Sequence, residues 1–298
     1  MPDAPHRPFG AVLTAMVTPF DTGGALDLDG AAALATHLVD AGNDGLVVSG
    51  TTGESPTTSD AEQDQLLRAV LDAVGGRARV VAGVGTNDTA HTLELARAAE
   101  KAGAHGLLVV TPYYSKPPQE GLVAHFTAAA DATDLPVILY DIPARSGTAI
   151  ATDTLVRLAS HERIVAVKDA KDDLFASAEV MAATDLAYYS GTDDLNLAHL
   201  CQGAAGLISV VSHATSPHYA EMVRCVDADD LAGARDVHRR LLPVVRAIMR
   251  TTQGAIMAKA AAQLSGVIAH RTVRPPLVDA TDEQVAILRA ALAETGDS

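Results

Sequence analysis

Eight short apolar runs, rich in β-branched residues, recur along this chain. They are AVLTAMV (11–17), GLVVSG (45–50), RVVAGVG (79–85), GLLVVT (106–111), PVILYD (136–141), IVAVKD (164–169), AYYSG (187–191) and GLISVV (206–211). Most are separated by amphipathic stretches of helical length, such as DLDGAAALATHLVDAG, DAEQDQLLRAVLDAVGG and DTAHTLELARAAEKAG. Several of these open on Asp or Thr and close on Gly, residues that satisfy the orphan amides and carbonyls of helix ends. The alternation predicts a (β/α)8 TIM barrel. A doubly wound open sheet competes, because near-continuous apolar strands suit any parallel sheet covered on both faces. After about residue 228 the strand-like runs stop. DDLAGARDVHRRLLPVVRAIMRT, GAIMAKAAAQLSG and TDEQVAILRAALAETG read as three helices, with RTVRPPLVDA (271–280) linking the last two. The expected organisation is a barrel over 1–227 and a helical extension over 228–298.

In such a barrel, chemistry gathers at the C-terminal ends of the strands. Four polar groups fall there: GTTGES (50–55), TPYYSKP (111–117), YDIPARSG (140–147) and VKDAK (167–171). The last is the most informative. The chain has five lysines, Lys101, Lys116, Lys168, Lys171 and Lys259, and only Lys168 terminates a strand. An ammonium there loses hydration, which costs free energy unless it is paired or neutralised. The plain alternative is a lysine that snorkels to water. A period of two puts Ile164, Ala166 and Lys168 on one face, and Val165 and Val167 on the other. The small Ala166 leaves room beneath Lys168, and on the neighbouring strand Ile138 and Tyr140 share a face. An amine and a phenol meeting inside a dry site would have the lysine pKa drawn well below ~10.4. Such an amine attacks carbonyls and forms a Schiff base.

The bulk numbers narrow the class. Of 298 residues 48 % are apolar and 20 % charged, enough to bury a sizeable core. A formal net charge of −15 disfavours nucleic acid and anionic membranes as partners, though not a small anionic substrate. Cys201 and Cys225 lack CxxC spacing, which suggests reduced thiols rather than a zinc site. MPDAPHRPFG shows no basic-then-apolar leader pattern, and no apolar stretch approaches the ~20 residues of a membrane span, so a cytoplasmic location is expected.

Taken together, GTTGES, TPYYSKP, YDIPARSG and VKDAK resemble the dihydrodipicolinate synthase/N-acetylneuraminate lyase family of class I aldolases. The resemblance covers essentially the whole chain. LVVSGTTGESPTT and LLVVTPYYSKPP are similar to its actinobacterial branch. It implies a condensation of pyruvate with aspartate β-semialdehyde, giving 4-hydroxy-tetrahydrodipicolinate in lysine and diaminopimelate biosynthesis. By the same resemblance Lys168 forms the imine with pyruvate, and Tyr140 shuttles protons. Thr51 links Tyr140 to Tyr114, which reaches in from an adjacent subunit. Thr52, with backbone groups near Gly191 and Ile208, holds the pyruvate carboxylate, and Arg145 receives the carboxylate of the second substrate. No metal or organic cofactor is implied, because the covalent Schiff base on Lys168 supplies the activation. A homotetramer built as a dimer of dimers is expected.

Sialic-acid lyases and keto-deoxy-sugar-acid aldolases share the lysine and tyrosine. They usually carry an apolar or small residue where Arg145 stands here, so Arg145 discriminates. A barrel that only binds a metabolite is the rival of another class. In lysine-inhibited members of the family, His91 is replaced by a glutamate that faces the effector, so weak feedback is expected here. Glu54 reads as a structural acceptor of loop amides. GVGTND (83–88) lacks the third glycine of a dinucleotide loop. His213 and His218 read as ordinary polar loop positions.

Overall fold

The protein is described here by a computed structural model covering residues 5–295. The first four residues of the N-terminal stretch and Gly296, at the end of the last helical run, lie outside the described residues. The barrel opens with β1 (Val12–Ala15), α1 (Leu28–Asp40), β2 (Gly45–Val48), α2 (Asp60–Val74), β3 (Arg79–Gly83) and α3 (Thr89–Ala102). It continues through β4 (Gly106–Val110), α4 (Gln119–Asp131), β5 (Val137–Asp141), the short α5 (Pro143–Ser146) and α6 (Thr152–Leu158). It closes with β6 (Ile164–Asp169), α7 (Leu174–Ala183), β7 (Ala187–Ser190), α8 (Asn196–Cys201), β8 (Gly206–Ser209) and α9 (Ser212–Asp227). Three further helices follow: α10 (Leu231–Met249), α11 (Gly254–Leu264) and α12 (Asp282–Ala293).

The eight parallel strands pair in chain order, and β8 returns to β1 through Leu13 and Ile208. That closure leaves no sheet edge and decides against the open doubly wound alternative. The helix starts follow the caps legible in the sequence. Asp27 caps α1, a Ser59–Glu62 capping box opens α2, Asp88 caps α3, and α3 ends on left-handed Gly103. Asp88 also ends the GVGTND segment, so that segment is a helix entry.

Two apolar layers follow from strand alternation. Leu13, Val47, Val81, Leu108, Ile138 and Ile208 fill the barrel, whereas Leu46, Val80, Leu107, Leu139 and Val167 face the helices. One expectation fails. Ile164 packs with the outer layer rather than beside Ala166 and Lys168. The β5–β6 register steps from Val137–Ile164 to Ile138–Ala166, so β6 carries one extra residue, Val165. This bulge puts Val165 and Ala166 against the same inner cluster and resets the alternation before Lys168. His213 and His218 also differ from their reading as loop positions: both lie on α9, on either side of a kink at Thr215.

The C-terminal helices share a core with the barrel. Val12 of β1, Leu207 of β8 and Met222 of α9 form one buried cluster with Leu241 of α10, Met257 of α11 and Leu288 of α12. Truncating a side chain such as Leu241 to alanine there costs about 2–5 kcal/mol. Among the described residues no helix is long and apolar enough to cross a membrane.

Candidate active site

At the C-terminal end of the barrel, Tyr140 on β5 and Lys168 on β6 sit opposite one another in register. Lys168 is 4 % exposed, and its Nζ stands 4.3 Å from the centre of the Tyr140 ring. Thr111, one residue beyond β4, donates to the Tyr140 carbonyl through both its amide (2.9 Å) and its hydroxyl (3.0 Å), which fixes the strand end bearing the phenol. Gly191 follows β7. A Cβ there would stand 3.0 Å from Lys168 Cγ and 3.1 Å from Cε, so the lysine stem lies directly on the Gly191 backbone. The Gly191 amide donates to the Asp169 carbonyl at 2.7 Å, so this residue offers a floor rather than a free donor. Ile208 is fully buried in the inner cluster below.

A cavity of about 490 Å³ opens on the Tyr140 side of this pair; Lys168, Thr52, Gly191 and Ile208 do not line it. Thr51, Tyr114, Tyr140 and Arg145 line it, with Tyr113 and Ser146. Arg145 is exposed on α5, one turn beyond the end of β5. Tyr114 is 89 % exposed at the rim and adopts a left-handed φ of 72°, so its loop thrusts the ring away from the chain's own core. Thr52 is buried within the same turn as Thr51. Among the described residues, the amides of Thr51, Thr52 and Gly53 donate to no protein acceptor. Consecutive amides of this kind form a concavity suited to an anion.

The electrostatics suit an amine nucleophile. Burial draws the Lys168 pKa down to about 8, Asp193 pulls it back up, and the Arg145 charge pushes it lower. Among the described residues no carboxylate lies within ion-pair distance of Lys168, so near pH 8 neutral amine and ammonium coexist. Burial drives the Tyr140 phenol up to about 12, against a lowering by Arg145. The phenol therefore keeps its proton at neutral pH and can donate it.

Reading the sequence missed Asp193, buried just after Gly191. One of its carboxylate oxygens accepts from Asn196 Nδ2 (3.1 Å), the Tyr219 hydroxyl (3.0 Å) and the Ser209 hydroxyl. The other accepts from the amides of Val210 (3.0 Å) and Val211 (3.2 Å). Five donors hold a negative charge near Lys168, and the strand-end rule applied to SGTDD would have flagged it. Glu54 is a structural acceptor, as expected, but its partners are the Lys259 ammonium and the Arg274 amide. His213 is locked between the Val17 amide and the Val210 carbonyl, and burial draws its pKa to about 4. Among the described residues no cluster of His, Cys, Asp and Glu could hold a metal ion.

The chain is similar to known proteins over nearly its whole length. The dihydrodipicolinate synthetase family model matches residues 8–295. A 4-hydroxy-tetrahydrodipicolinate synthase of Kineococcus radiotolerans is 68 % identical, the match covering 98 % of this chain and 95 % of that protein. The crystal structure of dihydrodipicolinate synthase from Cyanidioschyzon merolae with lysine bound superposes with a TM-score of 0.94 at 40 % identity, over 98 % of this chain and 99 % of that one. A monomeric dihydrodipicolinate synthase variant gives 0.93 at 38 % identity, over 97 % of each chain. Matched over residues 8–295 and closed into the same barrel, this chain belongs to the dihydrodipicolinate synthetase family.

Proposed function

We propose that the protein condenses pyruvate with aspartate β-semialdehyde to 4-hydroxy-tetrahydrodipicolinate, in lysine and diaminopimelate biosynthesis. The observation that carries this reading is the desolvated Lys168, without a carboxylate partner, against Tyr140, which lines a cavity together with Arg145. Neutral Lys168 Nζ attacks C2 of pyruvate, and the carbonyl oxygen leaves as water with a proton supplied by Tyr140. The pyruvate carboxylate rests on the free amides of the Thr51–Gly53 turn and on the Thr52 hydroxyl, above the Gly191 and Ile208 floor. Loss of a methyl proton to the Tyr140 oxygen, which gave up its own in the preceding step, gives an enamine, with the imine nitrogen as electron sink, so the reaction calls on no further cofactor. The enamine carbon attacks the aldehyde carbon, whose oxygen takes a proton and becomes the hydroxyl. The amine of the second substrate then displaces Lys168 by transimination and closes the ring.

Arg145 receives the second carboxylate, a task its planar fork suits. Thr51 relays protons between Tyr140 and Tyr114. The exposure of Tyr114 and its outward-turned loop fit a ring that completes the site of a second copy, so the working unit is at least a dimer, in a homotetramer. Residues 228–298 act as an extension of the barrel over 1–227, and the enzyme works in the cytoplasm. His91 Nε2 lies 3.0 Å from the Asp60 carboxylate, so the one acid at this position is already engaged, and feedback by lysine is weak; half-inhibition at sub-millimolar lysine would show that Asp60 serves the effector instead.

The direct test is turnover of pyruvate with aspartate β-semialdehyde, run beside sialic acid and keto-deoxy-gluconate, with borohydride trapping of the pyruvate adduct. Ring product from the semialdehyde and an adduct mass on Lys168 are expected. Preferential cleavage of either sugar acid overturns the substrate assignment. Binding of pyruvate without a trappable adduct makes the barrel a metabolite-binding module.

A further inference from the structure

The turn that carries Thr51 and Thr52 is held from outside the barrel. Its two ends, Ser49 and Glu54, both adopt left-handed backbone conformations, at φ 56° and 57°, which side chains other than glycine rarely take. Gly53 between them fits closely: a Cβ there would stand 3.1 Å from the Met16 carbonyl, and the Thr18 hydroxyl donates to the Gly53 carbonyl at 2.6 Å. Such a conformation persists only where its surroundings over-determine it. Much of that determination comes from the C-terminal extension. Lys259 on α11 is fully buried, and its ammonium bonds the Glu54 carboxylate and, at 2.8 Å, the Thr272 carbonyl. The second Glu54 oxygen accepts the Arg274 amide at 2.8 Å.

The Arg274 guanidinium then donates to the Thr57 carbonyl (2.8 Å), the Gly24 carbonyl (2.7 Å) and Glu62 (2.6 Å). Lys259 and Arg274 both stand over the Phe20 ring, at 4.2 and 4.3 Å from its centre. The cluster is balanced, two cations against two carboxylates. None of these four charged residues lines the cavity, whereas Ser49, Gly50, Thr51, Ser55 and Pro56 all do.

We propose that Lys259 is a positioning residue for the reaction: through Glu54 it fixes the backbone of the Thr51–Gly53 turn, so that the helical extension sets how tightly the site holds a 2-oxo acid carboxylate. This rests on the reading that the turn receives the pyruvate carboxylate. The cluster lies outside the cavity, so Lys259 acts on binding through the turn and leaves Lys168 and Arg145 unchanged. Its loss weakens pyruvate more than the second substrate. Glu54 and Lys259 work as one unit, so removing either has nearly the effect of removing both.

The experiment uses the full-length protein and the variants Lys259→Met, Glu54→Gln, the double variant and Arg274→Met. It reads the pyruvate concentration that gives half-maximal cyanoborohydride trapping, and steady-state KM for both substrates. Lys259→Met and Glu54→Gln are expected to raise the pyruvate half-saturation about tenfold, roughly 1.4 kcal/mol. The semialdehyde KM should move less than twofold, and the double variant should be no worse than the worse single one. Arg274 is less buried, so Arg274→Met keeps the test open if the core variants fail to fold. It should shift pyruvate in the same direction by a smaller factor. Unchanged pyruvate half-saturation in folded variants, or equal losses for both substrates, overturns the proposal and leaves the cluster a staple of the fold. A wild-type protein that traps no pyruvate instead overturns the functional reading and this inference with it.

Discussion

Two lysines leave the end of β6 three residues apart and meet opposite surroundings. Lys168 turns into the barrel, where the described residues place no carboxylate within ion-pair distance and burial draws its pKa to about 8. Lys171 turns to the outer wall, where its Nζ lies 3.6 Å from Asp169 and 3.7 Å from Asp141. Those two carboxylates are register partners, each one residue beyond the Lys168–Tyr140 pair. The same alternation therefore sends the reactive pair inward and one lysine with two carboxylates outward from one pair of strand ends. Burial alone does not make a lysine a nucleophile. Lys171 and Lys259 are also buried, but each has a carboxylate within ion-pair distance that favours its charged form. Burial without a partner releases the lone pair.

The sharpest way to break this contrast is to exchange the roles. Lys168→Ala should abolish pyruvate-dependent trapping and turnover, with no adduct on Lys171. An adduct mass on any other lysine would sink the assignment of the nucleophile.

Lys171→Met should leave the adduct on Lys168 but cost about 3–5 kcal/mol of stability, because two buried carboxylates lose their counter-charge. Its pH dependence has a definite sign. Burial already lifts the Asp141 carboxyl to about 6, with Lys171 pulling it down. An acid whose folded-state pKa lies above its unfolded value near 3.9 binds its proton more tightly when folded. The contribution of Asp141 to stability therefore falls as pH rises from about 4 to 6 and is level above that. Without Lys171 the folded-state pKa rises further, so the variant should go on losing stability between pH 6 and 8. Adding Asp141→Asn should restore most of it. Denaturant titrations at pH 6, 7 and 8 read this directly, and a uniform loss at all three would show that Lys171 contributes packing only.

Arg145→Ala should spare imine formation and slow condensation roughly ten- to a hundredfold, the cost of a charge-assisted contact of about 1.5–3 kcal/mol. If trapping fell as far as turnover, Arg145 would be placing pyruvate instead. The smallest effect expected is a shift in the pH at which trapping is half-maximal, of about one unit or less. Arg145→Ala removes a charge that lowers the Lys168 pKa and should move that pH up, whereas Asp193→Asn removes one that raises it and should move it down. Shifts in the same direction for both would mean that geometry, not charge, sets the Lys168 pKa.

Much of this was legible in the chain because it depends on neighbours along it. Strands and helices follow local periodicity and caps. Lys168 stood out because a lysine rarely ends an apolar run, and Tyr140 followed from the same alternation on the next strand. What escaped depends on distance. The bulge at Val165 shows only in register against β5, so Ile164 was assigned to the wrong face. Lys259 looked like any lysine in an alanine-rich helix, yet its partner lies 205 residues away. Asp193 also sits at a strand end, but its five donors come from Ser209 on β8, the turn after it, α8 and α9.

The sequence by itself determined the order of elements and the identity of the groups available for chemistry, because backbone propensity and side-chain period are local properties. Only the tertiary structure decided which charges are paired. That choice turns on desolvation and on contacts closed between distant segments, and it separates Lys168, with no carboxylate at ion-pair distance among the described residues, from Lys171, held by two, and Lys259, held by one and a backbone carbonyl.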